Sequence, residues 1–257
     1  IEMSGFGVDK DDTYPQVKES LQILSQCWET DEFEWDGSIQ ISPRSVIPRP
    51  IQLPHPPLYM ACTKDETVRL AAEYGVGALV LGFSGPTQVQ ALREIYDEAI
   101  ATRDPDSCIS KQATNFLSAL CPTIVLDDAE EAFQIGARGQ KFFAESIQHW
   151  NLGTPLPETV PAEIDIRDAV SDAKEQVEAF MVEGGHPVPS VVASTSPFNI
   201  EHAYGDKNDA IEYVAQLQKA GADEIMCIMQ MGGVPHEAAM ETIRQYGEYV
   251  IPHFSES

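Results

Sequence analysis

Short apolar runs alternate with helical patterns along this chain, and that order constrains its fold more than any other feature. Four strand-then-helix units are predicted. Their strands cover residues 58–62, 78–83, 116–125 and 223–231, and their helices cover residues 65–74, 86–101, 127–150 and 235–249. The third strand is predicted to be broken near Pro122. Strands that alternate with helices form a parallel sheet with right-handed crossovers, so the chain is predicted to be α/β.

Segments of other character surround these units. A helix is predicted over residues 11–28 with no strand before it, and residues 29–57, rich in proline, predict an extended or hairpin-like excursion. A second excursion, residues 151–205, separates the last two strands. It is predicted to hold a helix over 163–182 and an irregular stretch over 184–205, and a further helix follows over 208–220.

A doubly wound sheet and a β/α barrel both fit this alternation. No GxGxxG motif follows the first strand, and the excursions fall between units, where barrels accept insertions. Both features favour a TIM (β/α)8-type barrel. An eight-unit barrel needs about 250 residues. This chain has 257 residues, but they form only four units, a leading helix and the two excursions. We therefore expect one domain over residues 1–257, a partial barrel with residues 151–205 inserted in it.

The charge is strongly acidic, with 16 Lys and Arg against 41 Asp and Glu and a net charge of -25. Such a chain is repelled by nucleic acid and by anionic membrane surfaces. The five cysteines form no CxxC pair and the six histidines no HxH or HxxxH pair, so neither a disulfide framework nor a metal site is predicted. No apolar run approaches about 20 residues. We expect a cytoplasmic protein.

The segment PRPIQLPHPP, residues 48–57, immediately precedes the first predicted strand. It resembles a signature of bacterial luciferase-like flavin-dependent monooxygenases, in which a P-x-P-x-Q-x-P-H-P-P stretch leads into the fifth barrel strand. Further matches to that family are Gly205-Asp206, residues 221–225, residues 230–235 and Val250-Ile251-Pro252. The resemblance covers most of the chain. It implies the C-terminal portion of the barrel, from the helix of unit four through unit eight.

The resemblance also implies a function. Members of the family use reduced FMN and O₂ to oxygenate a small organic substrate, and a separate flavin reductase supplies the reduced FMN. Alternatives are an F420-dependent oxidoreductase of the same superfamily and a non-catalytic flavin-binding protein or inactive fragment. Because a partial barrel exposes sheet edges, we also expect a homo-oligomer or another partner that covers them. The substrate is not predicted.

Two turns are the candidate cofactor site. The first joins a strand to a helix N-terminus, which attracts anions, and the family binds the FMN phosphate at the matching turn. We assign Thr63, Thr67 and the backbone of Lys64 to that phosphate; helix capping alone is the alternative explanation. The second turn holds Gly232 and Gly233, which allow close backbone approach to a ligand or simply form a tight turn.

No catalytic residue is predicted, since the cofactor carries the oxygen chemistry in flavoenzymes. His55 lies between prolines, and we interpret it as a packed surface histidine rather than a general base.

Overall fold

Strands alternating with helices run through the computed structural model, which describes residues 5–7, 9, 13–82, 85–152, 155–167 and 204–255. The helices are α1 Thr13–Glu29, α2 Asp65–Tyr74, α3 Pro86–Thr102, α4 Ala129–Leu152, α5 Lys207–Lys219, α6 His236–Gln245 and α7 Ile251–Ser255. The strands are β1 Glu32–Asp36, β2 Gln40–Ser45, β3 Tyr59–Cys62, β4 Gly77–Leu81, β5 Leu117–Pro122, β6 Ile124–Val125, β7 Tyr204–Gly205 and β8 Glu224–Ile228. A 3₁₀ turn spans Pro105–Ser107 and a π-helical turn spans Tyr246–Val250.

The four main strands form one sheet in the order β3-β4-β5-β8. The Gly77 N–H donates to the Leu58 carbonyl at 2.8 Å, and the Ala78 N–H donates to the Phe116 carbonyl at 2.9 Å. These bonds join strand starts to strand starts, as parallel pairing requires. β5 and β8 are also parallel, in register from Ser118 opposite Glu224. The predicted α/β class and parallel sheet are confirmed, as an open sheet of four units rather than a closed barrel.

Two smaller sheets accompany the main one. β1 and β2 form an antiparallel hairpin with a register shift between Phe33 and Trp35, which confirms the hairpin-like excursion. β6 pairs in parallel with β7. Residues 184–205 were predicted to be irregular, and this prediction is wrong at its end because Tyr204–Gly205 is a strand. A strand of two residues is too short to show a periodic pattern in the sequence. The rest of that stretch, up to residue 203, lies outside the described residues.

The chain divides into two compact units. The first contains Ile1–Met60, Arg69–Ala78 and Tyr96–Phe116, and the second contains Ala61–Val68, Leu79–Ile95 and Leu117–Ser257. In the first unit, the buried Tyr96 hydroxyl donates to the Val76 carbonyl at 2.8 Å.

In the second unit, β5 and β8 are joined at their starts through one carboxylate. Asp223 accepts from the Leu117 N–H at 2.8 Å and from Arg93 Nη1 at 2.9 Å. The same arginine nitrogen donates to the Gly221 carbonyl at 3.0 Å. Residue 223 therefore holds the first residue of β5 and the helix-to-strand turn before β8 in place.

The break predicted near Pro122 in the third strand is confirmed, because β5 ends at Pro122 and β6 begins at Ile124. Other boundaries differ from prediction, and the last strand, predicted over residues 223–231, is shorter, since β8 is Glu224–Ile228. The final helix does not end at Tyr249: a π-helical turn, closed by a bond from the Ile251 N–H to the Tyr246 carbonyl, leads into α7. Pro252, the second residue of α7, has no N–H with which to continue the hydrogen-bond ladder of the preceding turns. Residues 163–166 precede rather than begin the helix predicted at 163–182, whose remainder beyond Arg167 lies outside the described residues.

Candidate functional site

The turns that follow parallel strands meet at one edge of a sheet, which in β/α folds is the edge that carries active sites. In the second unit these turns are residues 63–64 after β3, 126–128 after β6 and 229–235 after β8. Both candidate turns named from the sequence belong to this edge. The turn after β4 includes residues 83–84, which are outside the described part of the chain.

The Thr63–Lys64 turn has a compact hydrogen-bonded form. Thr67 Oγ1 donates to the Lys64 carbonyl at 2.7 Å and accepts the Lys64 N–H at 3.2 Å. The Lys64 carbonyl also accepts from the N–H groups of Thr67 and Val68, at 3.0 and 3.1 Å. The Thr67 hydroxyl and the Lys64 N–H are thus engaged within the turn, which they hold closed at the N-terminus of α2.

The groups left facing outward are on the strand side of this turn. Thr63 and Lys64 are both exposed, so a hydroxyl and an ammonium are accessible. Besides the Thr67 N–H, which donates to the Lys64 carbonyl, the first turn of α2 holds the Asp65 and Glu66 N–H groups, which have no partner within the helix. Asp65 and Glu66 place two carboxylates in that same turn, and Asp65 Oδ1 is buried without a hydrogen-bond partner. The local field is therefore mixed, because the positive charge of Lys64 and of the helix N-terminus is offset by the two carboxylates of Asp65 and Glu66.

Cys62, the last residue of β3, is not a reactive thiol. It is 1% exposed, and its Sγ donates to the Thr67 carbonyl at 3.3 Å. Burial raises the pKa of the thiol to about 12. Since only the thiolate is strongly nucleophilic, Cys62 packs the turn rather than performing chemistry.

The Gly232–Gly233 turn contacts α4. Gly232 has φ of 55°, and a Cβ there would lie 2.6 Å from the Gly139 carbonyl oxygen. This close approach between turn and helix is enough to require glycine at residue 232. Gly233 is exposed, and a Cβ there would meet nothing within 4 Å. Only Gly233 of the pair leaves open space beside the backbone.

A cavity of about 220 Å³ adjoins this second turn. Its lining includes Gly233 and Pro235 from the turn, Arg138 from α4 and Val160 from the segment before residue 168. Arg138 was not identified from the sequence, because an arginine on an amphipathic helix resembles a solvated surface residue. Its neighbours are distant in sequence, and only the fold brings them together.

His55 is packed, as expected, but it is not a surface residue. In the first unit its side chain is 4% exposed, its Nδ1 lies 2.7 Å from the Pro56 carbonyl oxygen, and its ring centroid is 6.1 Å from that of Trp28. Nε2 is buried without a hydrogen-bond partner. A general-base role requires access to a substrate, which this burial prevents.

The residues that the structure describes offer neither a metal site nor a membrane-spanning helix. No group of three or more His, Cys, Asp or Glu side chains in that part of the chain is placed to hold a metal ion. No helix there is long and apolar enough to cross a membrane.

Comparison with known proteins identifies the family. The model of luciferase-like monooxygenases matches residues 1–224. An uncharacterized protein of Sinorhizobium fredii, y4wF, is 24% identical over 245 residues, which are 94% of this chain and 62% of that protein. The chain thus spans less than two thirds of this relative.

Solved structures share the fold. The monooxygenase RslO1 of Streptomyces bottropensis superposes with a TM-score of 0.61 at 19% identity, over 98% of this chain and 65% of that one. The F420-dependent tetrahydromethanopterin reductase of Methanopyrus kandleri gives 0.57 at 20%, over 93% and 62%. The oxygenating constituent of 3,6-diketocamphane monooxygenase from Pseudomonas putida, solved with FMN, gives 0.54 at 16%, over 93% and 63%.

These structures support a partial TIM-barrel fold of the luciferase-like type. Because the family model covers well over half of its residues, this chain belongs to the luciferase-like monooxygenase family.

Proposed function

We propose that this chain is the cofactor-binding portion of a flavin-dependent monooxygenase that uses reduced FMN and O₂ to oxygenate a small organic substrate. A separate reductase supplies the reduced FMN in this proposal. The observation that carries it is the strand–turn–helix at Thr63–Lys64, placed at the sheet edge where β/α folds bind ligands. Family membership and an FMN-bound relative of the same fold support it.

The exposed groups of this turn fit a phosphate. The Thr63 hydroxyl and the Lys64 ammonium are accessible donors, and the α2 N-terminus adds N–H groups and the positive end of a helix dipole. Thr67 takes a different role, because its hydroxyl is already bonded to Lys64 on both sides. It shapes the turn, and the phosphate is held by residues 63 and 64.

The second turn takes a supporting role. The open space beside Gly233 lets a flat ligand approach the backbone, while Gly232 keeps the turn against α4. When bound, reduced FMN supplies the electrons that activate O₂. The protein's own contribution is to bind the phosphate, orient the cofactor at the sheet edge and exclude water. Catalytic side chains remain unassigned.

A second candidate is an F420-dependent oxidoreductase, favoured by the shared fold of the F420-dependent reductase. It transfers hydride and does not use O₂. A third is a flavin-binding protein without catalysis. We propose the monooxygenase because the family model that matches the chain is that of monooxygenases. A homo-oligomer and a cytoplasmic location remain parts of the proposal.

Cofactor titrations followed by an oxygen-uptake assay distinguish the three candidate functions. We expect saturable quenching of FMN fluorescence and much weaker binding of F420. Tight F420 binding with no FMN binding would replace the proposal with the second candidate. Oxygen uptake, measured with photoreduced FMN and a panel of aldehydes, ketones and alkanes, then tests catalysis. FMN binding without formation of any oxygenated product across that panel would favour the third candidate.

A further inference from the structure

The last strand of the main sheet has one open edge. Within the described part of the chain, β8 pairs with β5 and with no other strand, so it ends the order β3-β4-β5-β8. Its four apolar residues, 225–228, are all partly exposed, whereas five of the six residues of β5 are buried. The backbone N–H and C=O groups on the open side of β8 are therefore available to a further strand.

An apolar groove of about 560 Å³ lies beside this edge. One face of β8 forms its floor through the alternate residues Ile225 and Cys227, and α5, the π-helical turn and α7 form its walls. Tyr246 in the wall belongs to a buried cluster, against which Val214 and Phe254 pack. The groove is thus the place where the apolar layer between β8 and the helices reaches the surface of the second unit.

The groove differs in charge from the rest of the protein. None of the described residues that line it is charged, in a chain whose net charge is -25. Two of the lining residues, Ile243 and Ile251, are 52% and 58% exposed. β8 carries one charge, on its first residue Glu224, which accepts from the Ser118 hydroxyl. Two strongly acidic chains repel each other in general, and this surface is one on which they can meet with little repulsion.

We propose that β8 and this groove bind a second copy of the chain, with the two β8 strands paired antiparallel about a twofold axis. All five residues of each strand pair when the axis passes between the two copies of Met226. Glu224 then lies opposite Ile228 of the other copy, so the two carboxylates are at opposite ends of the strand pair. Parallel pairing in register would place them side by side, which is destabilising.

The same symmetry covers the groove. A twofold axis perpendicular to the sheet keeps the helices of both copies on one face of the joined sheet, so the two grooves face each other across the paired strands. Ile243 and Ile251 of each copy then contact the apolar surface of the other, which removes exposed apolar area from water. This inference rests on the homo-oligomer of the proposed function and names its surface, and it uses no residue of the Thr63–Lys64 turn.

Sedimentation velocity of the full chain over a range of protein concentrations measures the association. We expect a monomer–dimer equilibrium with a Kd in the micromolar range. Ile251→Glu places a carboxylate in the groove and is expected to weaken the dimer at least about tenfold, because burial of an unpaired charge is costly. Ile51→Glu adds the same charge at a 94% exposed residue of the first unit and is expected to leave the dimer unchanged.

Circular dichroism confirms that each variant is folded, and Ile243→Glu replaces Ile251→Glu if the latter unfolds. A wild type that stays monomeric at every concentration would overturn the proposal. So would equal dimer affinity in the groove variant and in Ile51→Glu, because the contact would then lie elsewhere.

A cysteine at the twofold axis tests the pairing of the strands. Met226→Cys places two thiols directly opposite each other, where the Cα atoms of antiparallel strands are about 4.5–5.5 Å apart and within reach of a disulfide. Diamide, which takes up one electron and one proton from each thiol, should produce a covalent dimer on a non-reducing gel. The wild type and Ser42→Cys, with an exposed cysteine in β2, should stay uncrosslinked. A dimer that Met226→Cys fails to crosslink would overturn the antiparallel arrangement.

Salt dependence and FMN binding provide two further measurements. Because both copies are acidic, the dimer is expected to be at least as strong at about 0.5 M NaCl as at about 0.05 M. A dimer that weakens as salt rises would depend on charge pairs and would overturn the proposal. Thr63→Ala is expected to weaken FMN binding and to leave the dimer unchanged. FMN binding by a monomeric wild type would contradict this surface alone, and a dimer that does not bind FMN would contradict the flavin proposal alone.

Discussion

At the scale of single residues, two glycines of α4 allow close packing that no other residue permits. A Cβ on Gly136 would lie 2.2 Å from the Tyr204 ring, and one on Gly139 would lie 2.7 Å from the Met231 carbonyl oxygen. Tyr204 is buried, burial raises its pKa well above the usual range, and its hydroxyl donates to Gln140. The ring cannot move away without losing that bond.

We therefore expect Gly136→Ala to lower the free energy of unfolding by about 1–3 kcal/mol, the usual cost of overpacking. Urea unfolding measures the change. Gly247→Ala is the matched control, because a Cβ there meets nothing within 4 Å in a helical segment. It should be neutral or stabilising by up to about 1 kcal/mol. A Gly136→Ala variant as stable as the control would show that α4 and Tyr204 do not pack closely.

At the scale of elements, one threonine joins α6 to β6. Thr242 is fully buried; its Oγ1 accepts the Val125 N–H at 3.0 Å and donates to the Ala238 carbonyl at 2.8 Å. Thr242→Val keeps the shape and leaves the Val125 N–H without a partner. The expected loss in the free energy of unfolding is about 1–3 kcal/mol. Thr102→Val, where the hydroxyl is exposed, should change stability by less than about 0.5 kcal/mol. Similar losses in both variants would contradict the buried bond.

The start of α5 gives a prediction about pH. The Asp206 carboxylate accepts from the Asp209 and Asn208 N–H groups, at 3.1 and 2.6 Å, and the Asp209 bond is the main reason why the pKa of Asp206 is lowered from 3.8. A lowered folded-state pKa contributes stability that is present above the unfolded pKa near 4. That stability is lost as pH falls through the folded value.

Asp206→Asn keeps a capping side chain that does not titrate. We expect the wild type to have a higher free energy of unfolding than this variant above about pH 4, and we expect this difference to decrease at lower pH. Urea unfolding from pH 7 down to pH 3 measures it. A difference that stays constant over that range would show that Asp206 has an unperturbed pKa.

Much of the element order followed from the sequence, because periodicity and capping are local signals. Residues 65–74 match α2 in full, since Gly75 follows an amphipathic run. β7 was missed because its two residues are a strand only through pairing with β6. The turn at Thr63 and Lys64 was predicted for the same local reasons. The hydrogen bonds of Thr67 within the turn and the cavity beside Arg138 could not be predicted from the sequence, because both depend on three-dimensional geometry. Arg138 donates to carbonyl groups that lie 24 and 26 residues further along the chain.

At the scale of the whole molecule, the chain forms an open parallel sheet of four strand–helix units and is shorter than the relatives named above. It spans 62–65% of the relative and the solved structures named above. The contribution proposed for this chain is cofactor binding, and the Thr63–Lys64 turn is the part of the chain that would hold the phosphate.

The phosphate site proposed at the Thr63–Lys64 turn is tested by comparing FMN with riboflavin, which lacks the phosphate. Both ligands are titrated by fluorescence against the wild type, Thr63→Ala, Lys64→Gln and the exposed control Lys111→Gln. We predict that FMN binds at least about tenfold more tightly than riboflavin to the wild type and to the control. Each of the two turn variants should lose most of that preference, because a hydrogen bond to a charged group contributes about 1.5–3 kcal/mol. Equal affinity for FMN and riboflavin in the folded wild type would contradict a phosphate site at this turn.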